Sequence, residues 1–165
     1  MNKMQSQVAE FHKTFGVPVH TMPQVAIGAD RALLRAKLIF EEAKETIEAM
    51  GCLICDYTGY EPPCNAPEID IVEIADGLAD LMYVINGAAL EFGIDLEPIF
   101  NAVHSNNMAK VWTVEEVESN AIPEGFHAEE IDGLFGWRVM RPDGKILKPP
   151  SHKKVNIESV LAKQA

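Results

Sequence analysis

Hydrophobic residues through the first two-thirds of the chain recur at helical spacing, and clusters of glycine and proline interrupt that pattern. Residues 4–15 predict a short helix that ends at Gly16 and Pro18. The stretch Val17–Ala29 reads as a loop, and Asp30 is expected to cap a long helix through Met50, closed by Gly51. Cys52–Glu68, with Gly59, Pro62, Pro63 and Pro67, reads as a second loop. A further long helix is predicted over Ile69–Phe92, stopping at Gly93. Asp95 then caps a fourth helix, with Pro98 tolerated in its first turn, to about Val111.

Beyond Trp112 the pattern changes. Gly136–Pro149 holds two short alternating runs around Pro142-Asp143-Gly144, which predicts a β-hairpin, and the tail from Val155 predicts one last short helix. The expected class is therefore all-α, a helical bundle with a small C-terminal β-hairpin. A single domain over 1–165 is expected, its helical core at about 4–111 and a hairpin-containing extension at about 112–165.

Within the Ile69–Phe92 helix, Ile74, Leu78, Leu81, Ile85 and Ala89 share one face that is expected to be buried. Between Ile71 and Leu90 the only charged residues are Glu73, Asp76 and Asp80, and their spacing puts them on one arc roughly 60° wide. Ile69, Tyr83, Val84 and Gly87 lie on that same arc, so the acids interrupt an apolar stripe. A solvent face is the plainer reading, but it leaves those apolar residues exposed in a row. The preceding helix carries Glu41, Glu42, Glu45 and Glu48, with Ala36, Phe40, Ala43 and Ile47 as its expected core face. Leu34 and Leu38 precede the acids on their own arc, which points to packing on both sides. Two antiparallel helices then bring the acidic stripes face to face. Ionised carboxylates so placed need a cation or raised pKa values. Hard oxygen donors suit Mg²⁺ or Mn²⁺, the usual means of holding a polyphosphate and activating water.

Composition sharpens this reading. In 165 residues, 14 basic side chains stand against 25 acidic ones, a net charge of −11. So acidic a protein repels nucleic acid. No run approaches the ~18 apolar residues of a membrane span, and residues 1–13 are not expected to act as a signal peptide. Cys52, Cys55 and Cys64 are expected to be free thiols of a cytoplasmic protein, because a zinc site needs a fourth ligand that the local loop does not offer.

The string EEAKE (Glu41, Glu42, Glu45), followed by EIADGLAD (Glu73, Asp76, Asp80), resembles the EExxE…ExxD pattern of all-α nucleoside triphosphate pyrophosphohydrolases. These include the MazG-like proteins, the dimeric dUTPases and the phosphoribosyl-ATP pyrophosphohydrolases. FHKTFG (Phe11–Gly16), LLRAKLIFEE (Leu33–Glu42), DLMYVINGAALEFGID (Asp80–Asp95), VHSNNMAK (Val103–Lys110) and DGKILKPP (Asp143–Pro150) look like the MazG-like branch. The resemblance implies a Mg²⁺-dependent homodimer or homotetramer that splits the α–β phosphate bond of a nucleoside triphosphate. It makes Glu42, Glu45, Glu73, Asp76 and Asp80 metal ligands, and draws the catalytic residues from Glu41, Glu42, Glu45 and Asp80. One departure stands out: three residues before Asp80 the chain has Gly77, and the literal ExxD is Glu73–Asp76.

In the next helix His104, Asn107 and Lys110 are candidate substrate contacts, the last two on one face. Lys145 and Lys148 on the hairpin are candidates to close over phosphates. Other readings are phosphoribosyl-ATP pyrophosphohydrolase, a catalytically silent nucleotide- and metal-binding regulator, and a structural bundle with a solvated acidic face.

Overall fold

The computed structural model describes residues 1–55, 59–61, 69–120, 122–133 and 136–165, without the side chains of 53–55 and 59–61. Of the three cysteines only the Cys52 side chain falls within that range, and it is a free thiol. Cys55 (side chain) and Cys64 lie outside the described residues, as do Pro62, Pro63 and Pro67.

Helices dominate: α1 (Lys3–Thr14), α2 (Ala29–Ala49), α3 (Ile71–Glu91), α4 (Leu96–Met108), α5 (Val114–Ser119) and α6 (Ile157–Leu161). Two antiparallel strand pairs accompany them, β1 (Leu53–Cys55) with β2 (Gly59–Glu61) and β3 (His127–Glu130) with β4 (Trp137–Met140). No single helix among the described residues is long and apolar enough to cross a membrane. The chain divides into two compact units, Met1–Glu97 with Leu161–Ala165, and Pro98–Val160. Nearly all of α4 thus belongs with the C-terminal segment.

Local chemistry explains most of the helix ends. Asp70 caps α3 by accepting from the N–H groups of Val72 (2.9 Å) and Glu73 (3.3 Å). Gly16, Gly51 and Gly93 follow α1, α2 and α3 at φ of 69°, 74° and 69°, the left-handed turn that stops a helix. Gly93 also has no room for a side chain, because a Cβ there would collide with the Met22 backbone. Asp30 is not the cap of α2. Gly28 takes that position at φ 87°, and Asp30 sits in the first turn, where its charge favours the positive end of the helix. The expected loop after α2 contains the β1–β2 pair.

The N-terminal unit is organised by an antiparallel seam between α2 and α3. At one end Glu91, fully buried, accepts from Arg31 Nε (3.0 Å) and Arg35 Nε (2.7 Å), and both guanidinium groups pair with it a second time through Nη2. Four residues back along α3, Gly87 admits both neighbours: a Cβ there would lie 2.9 Å from Arg35 Nη1 and 3.1 Å from His12 Nε2. Further along, Gly77 meets Thr46, and a Cβ on Gly77 would stand 2.6 Å from Thr46 Oγ1 and 3.2 Å from its Cα. Thr46 cannot easily turn away, since its hydroxyl donates to the Glu42 carbonyl at 2.7 Å. α1 packs on α3 with Phe11 edge-on to Tyr83 (5.6 Å, 86°) and Val8, Ala9 and Leu90 buried together.

This arrangement corrects the expected core faces. Ala36 is exposed and Phe40 is 61% exposed, while the side of α2 that faces α3 carries Arg35 and Thr46. Leu78 and Ile85 of α3, expected in the core, are also exposed in the single chain. A hydrophobicity pattern names the apolar face of a helix; it does not name the face its own chain covers.

The C-terminal unit gathers around Trp112 and Val139, both buried. Trp112 bridges Trp137 through paired backbone bonds of 2.9 and 2.8 Å, and its indole N–H donates to the Leu147 carbonyl at 3.0 Å. The expected hairpin is only partly present. β4 pairs chiefly with β3, and the segment after the Asp143–Gly144 turn adds one bridge, Met140 to Ile146. Thr113 and Glu116 form a reciprocal capping box that starts α5.

Two expected outcomes follow from the seam. Gly77→Ala gains about 1 kcal/mol of helix propensity but overfills the contact with Thr46, a cost of about 1–3 kcal/mol. The variant should therefore show a lower urea midpoint than the wild type, and Thr46→Ala added to it should recover part of the loss. A Gly77→Ala protein more stable than wild type would mean that this contact does not set the helix spacing.

The second concerns pH. Burial holds the His12 imidazole below its ordinary value, against a bond from its Nδ1–H to the Pro18 carbonyl (3.0 Å) and with help from Arg35. Burial pushes Glu91 upward, but the hydrogen bonds and charges of Arg31 and Arg35 outweigh it and hold the carboxyl below the usual range. Both groups stabilise the fold at neutral pH and lose that contribution on acidification. His12 acts first, as pH falls below about 6.5, and Glu91 only below about 4.3. Stability measured by urea titration should decline from pH 7 to 5.5 with a His12 component of at most about 1.4 kcal/mol per pH unit. His12→Gln should remove that component, and equal slopes in the two proteins would refute it.

Candidate functional site

The seam that begins at Glu91 opens, two turns and more beyond Gly87, into a polar groove. Glu42, Glu45 and Ala49 of α2 and Glu73, Asp76, Gly77 and Asp80 of α3 line it. Its volume is about 50 Å³, room for an ion with a few waters, not for a nucleotide. Because the helices run antiparallel around the Thr46–Gly77 contact, Glu42 falls beside Asp80 and the remaining acids are distributed along the same cleft. Without a side chain at position 77 the acid-bearing turns of α3 come close to α2. The glycine that departs from the sequence pattern is thus a spacer at the centre of the groove.

The electrostatics of the cleft are one-sided. Glu42, half-buried, is held above the usual carboxylate range, first by burial and then by the charges of Asp80, Glu45, Glu41 and Asp76. Glu45, Glu73, Asp76 and Asp80 are exposed. Among the described residues that line it there is no cationic side chain. Glu41 is exposed and outside the lining, and Glu48 turns to Lys44 at 3.7 Å on its own helix. The sequence expectation of acids facing one another across two helices therefore describes where these residues lie. The expectation of a buried stripe does not, because the α3 acids are open to solvent. Among the described residues no three carboxylates converge into a ready coordination shell. The donor set is nonetheless of the kind that hard divalent cations take: several carboxylates, space for retained waters and no competing cation in the lining.

The other candidates lie in the C-terminal unit. His104 and Asn107 are exposed on α4. Lys110 lies beyond the end of α4 at Met108, so it does not share a helical face with Asn107 as expected. Their neighbour Asn106 donates to the Lys153 carbonyl at 2.6 Å, and its own carbonyl meets the His152 ring at 3.0 Å. Lys145 and Lys148 are exposed, Lys145 standing 3.8 Å from Asp143.

Sequence reasoning missed the polar residues that hold the groove in place. Arg31, Arg35 and Glu91 pair across 60 and 56 residues of chain, and no local pattern announces such a contact. Gly77 and Gly87 did carry a signal, since glycine inside a strong helix pattern often marks a close approach.

Comparison with known proteins agrees with this centre of gravity. The chain is 32% identical over 93 residues to an uncharacterized protein, L479, of Acanthamoeba polyphaga mimivirus. That alignment takes in 54% of this chain and 31% of the viral protein, so the chain spans about a third of the length of that relative. Residues 8–107, from within α1 to within α4, match the family described as phosphoribosyl-ATP pyrophosphohydrolase. The match runs through both acid-bearing helices and covers more than half of the sequence: the chain belongs to the phosphoribosyl-ATP pyrophosphohydrolase family.

Proposed function

We propose that the α2–α3 groove is the centre of a divalent-cation-dependent nucleoside triphosphate pyrophosphohydrolase, releasing a nucleoside monophosphate and pyrophosphate. The observation that carries this reading is the gathering of Glu42, Glu45, Glu73, Asp76 and Asp80 along one cleft, with no cationic side chain among the described residues of its lining. Carboxylates alone repel a polyphosphate, so such a cleft is suited to anionic substrate only through cations held between them. Mg²⁺ or Mn²⁺ bound by these five residues supplies the positive charge that both sides lack and acidifies water near neutral pH. The chain's own part is to hold the acids in register and to take up a proton. A water gives its proton to a carboxylate of the set Glu41, Glu42, Glu45 and Asp80, its oxygen bonds to the α-phosphorus, and pyrophosphate departs. His104, Asn107, Lys110, Lys145 and Lys148 are the proposed contacts to base, sugar and phosphate.

The family match favours a second reading with the same bond chemistry, in which phosphoribosyl-ATP is the substrate. Comparing pyrophosphate release from the common and deoxynucleoside triphosphates with that from phosphoribosyl-ATP separates the two. Release should require Mg²⁺ or Mn²⁺, and inorganic phosphate with a nucleoside diphosphate as first products would refute the proposal. Asp80→Asn removes one of the repelling charges while keeping its shape. It should lower turnover at least a hundredfold and leave the melting temperature of the chelator-treated protein no lower than wild type. Full Mg²⁺-dependent activity in that variant would sink the assignment.

We place the activity on a homodimer or larger assembly. Leu33 and Phe40 of α2 and Ile71 and Val72 of α3 are between 55% and 73% exposed in the single chain, a density of large apolar side chains that marks an interface. Light scattering at micromolar concentration should give at least twice the 18.2 kDa of one chain, and a monomer would count against it.

A further inference from the structure

Beside the acidic groove, on the adjoining face of α3, lies a second cavity of about 240 Å³. Met4, Gln7 and Val8 of α1 and Ala79, Met82, Tyr83 and Asn86 of α3 line it. Asn86 is 7% exposed, and its amide orientation follows from chemistry: Nδ2 donates at 2.7 Å to the Met82 carbonyl, which can only accept. Its Oδ1 is then left as a buried acceptor with no partner, the one such side-chain atom among the described residues. A buried polar atom without a partner forfeits its hydration with nothing in return, so a ligand that brings a donor is favoured there. A lone water is a poor candidate in a cavity walled largely by carbon, because it needs two to four polar partners.

We propose that this cavity receives the nucleobase of the substrate and that Asn86 reads it, Oδ1 accepting from an N–H of the base. The identity of the ligand rests on the pyrophosphohydrolase reading; the site itself does not. Size agrees, since an apolar cavity of about 150 Å³ takes benzene, and this one accommodates a one- or two-ring heterocycle. The soft Met4 and Met82 side chains and the Tyr83 ring suit a flat π-system. Ala79 on the cavity wall and Asp80 in the acidic groove are consecutive residues, so one rigid helix fixes the base site relative to the phosphate site. Asn86 is a specificity-determining residue in this scheme and takes no part in bond cleavage.

The test uses the full chain, ¹⁵N-labelled, titrated with deoxyadenosine, deoxycytidine, deoxyguanosine and thymidine, which carry no phosphate and do not depend on the acidic groove. At least one should shift the Asn86 side-chain amide pair and the Val8 and Tyr83 backbone signals saturably. Asn86→Leu, similar in shape without the acceptor, should abolish the saturable shifts, lower kcat/KM for the best triphosphate about tenfold and flatten the ranking among bases. Should Asn86→Leu unfold, Ala79→Phe fills the cavity from its exposed rim and should give the same losses. The proposal is overturned if no nucleoside moves the Asn86 signals or if both variants keep the wild-type ranking. It is equally overturned if those signals move with protein concentration alone, which would put a second copy of the chain in the cavity. Nucleoside shifts at Asn86 without pyrophosphate release from any triphosphate would retain the base site and reject the pyrophosphohydrolase reading. Pyrophosphate release with silent Asn86 signals would do the reverse.

Discussion

The ionised Glu91 at the closed end of the α2–α3 seam is the constraint on which the N-terminal unit depends. A carboxylate with no access to water is tolerated only when charge and hydrogen bonds meet it, and Arg31 and Arg35 do both. Sliding one helix past the other by a residue turns its side chains by about 100° and strands that charge, a penalty of about 3–5 kcal/mol for a broken buried pair. Apolar contacts alone discriminate register far less sharply, because leucine for leucine is nearly neutral. The buried cluster therefore selects one alignment of α2 on α3, while the Thr46–Gly77 contact sets how close they stand.

That alignment has an opposite consequence at the open end. With Arg31 held against Glu91, the antiparallel run carries Glu42 to Asp80 and the other acids into one cleft. One end of the seam is electrostatically satisfied and the other is not, and the first holds the second in place. Local conflict sustained by a well-determined surrounding is what a site prepared for a charged ligand looks like. The upward displacement of Glu42 expresses that conflict, arising first from its burial and then from its acidic neighbours.

Much of this was legible in the sequence, and the failures have a common cause. Glycine and proline punctuation located α1, α3 and the start of α4 to within about two residues, and helical spacing of Glu73, Asp76 and Asp80 identified a single acidic arc. Both successes rest on contacts within one or two turns. The inward face of α2 was misjudged because the residues that face α3 include Arg35 and Thr46, side chains that look solvent-seeking until their partners are known. His12 and Gln5 are buried for the same kind of reason, the latter bonding the Ile94 carbonyl (2.7 Å) and the Leu96 N–H (3.1 Å) some ninety residues away. The start of α5 was readable in principle, since Thr113-Val-Glu-Glu116 is a capping-box string. Asn86 is a lone amide in an apolar run that the sequence reading passed over, and only the fold reveals that one of its atoms has no partner.

Helix α3 unites these features because its faces are committed differently. One face bears both the glycines and the acids: it lies against α2 and α1, where Gly77 and Gly87 admit Thr46, Arg35 and His12 at close approach, and between them it presents Glu73, Asp76 and Asp80 to the cleft. A second carries Ala79, Met82, Tyr83 and Asn86 toward α1. On the proposed reading a nucleotide engages both faces at once, phosphates toward the acids and base toward Asn86. Discrimination between bases then acts on the same rigid body that aligns the scissile bond, so a poorly seated base misplaces the α-phosphorus. Selectivity of that kind should appear in turnover as well as in affinity, because an offset of about 1 Å at the reacting atoms costs on the order of a hundredfold in rate.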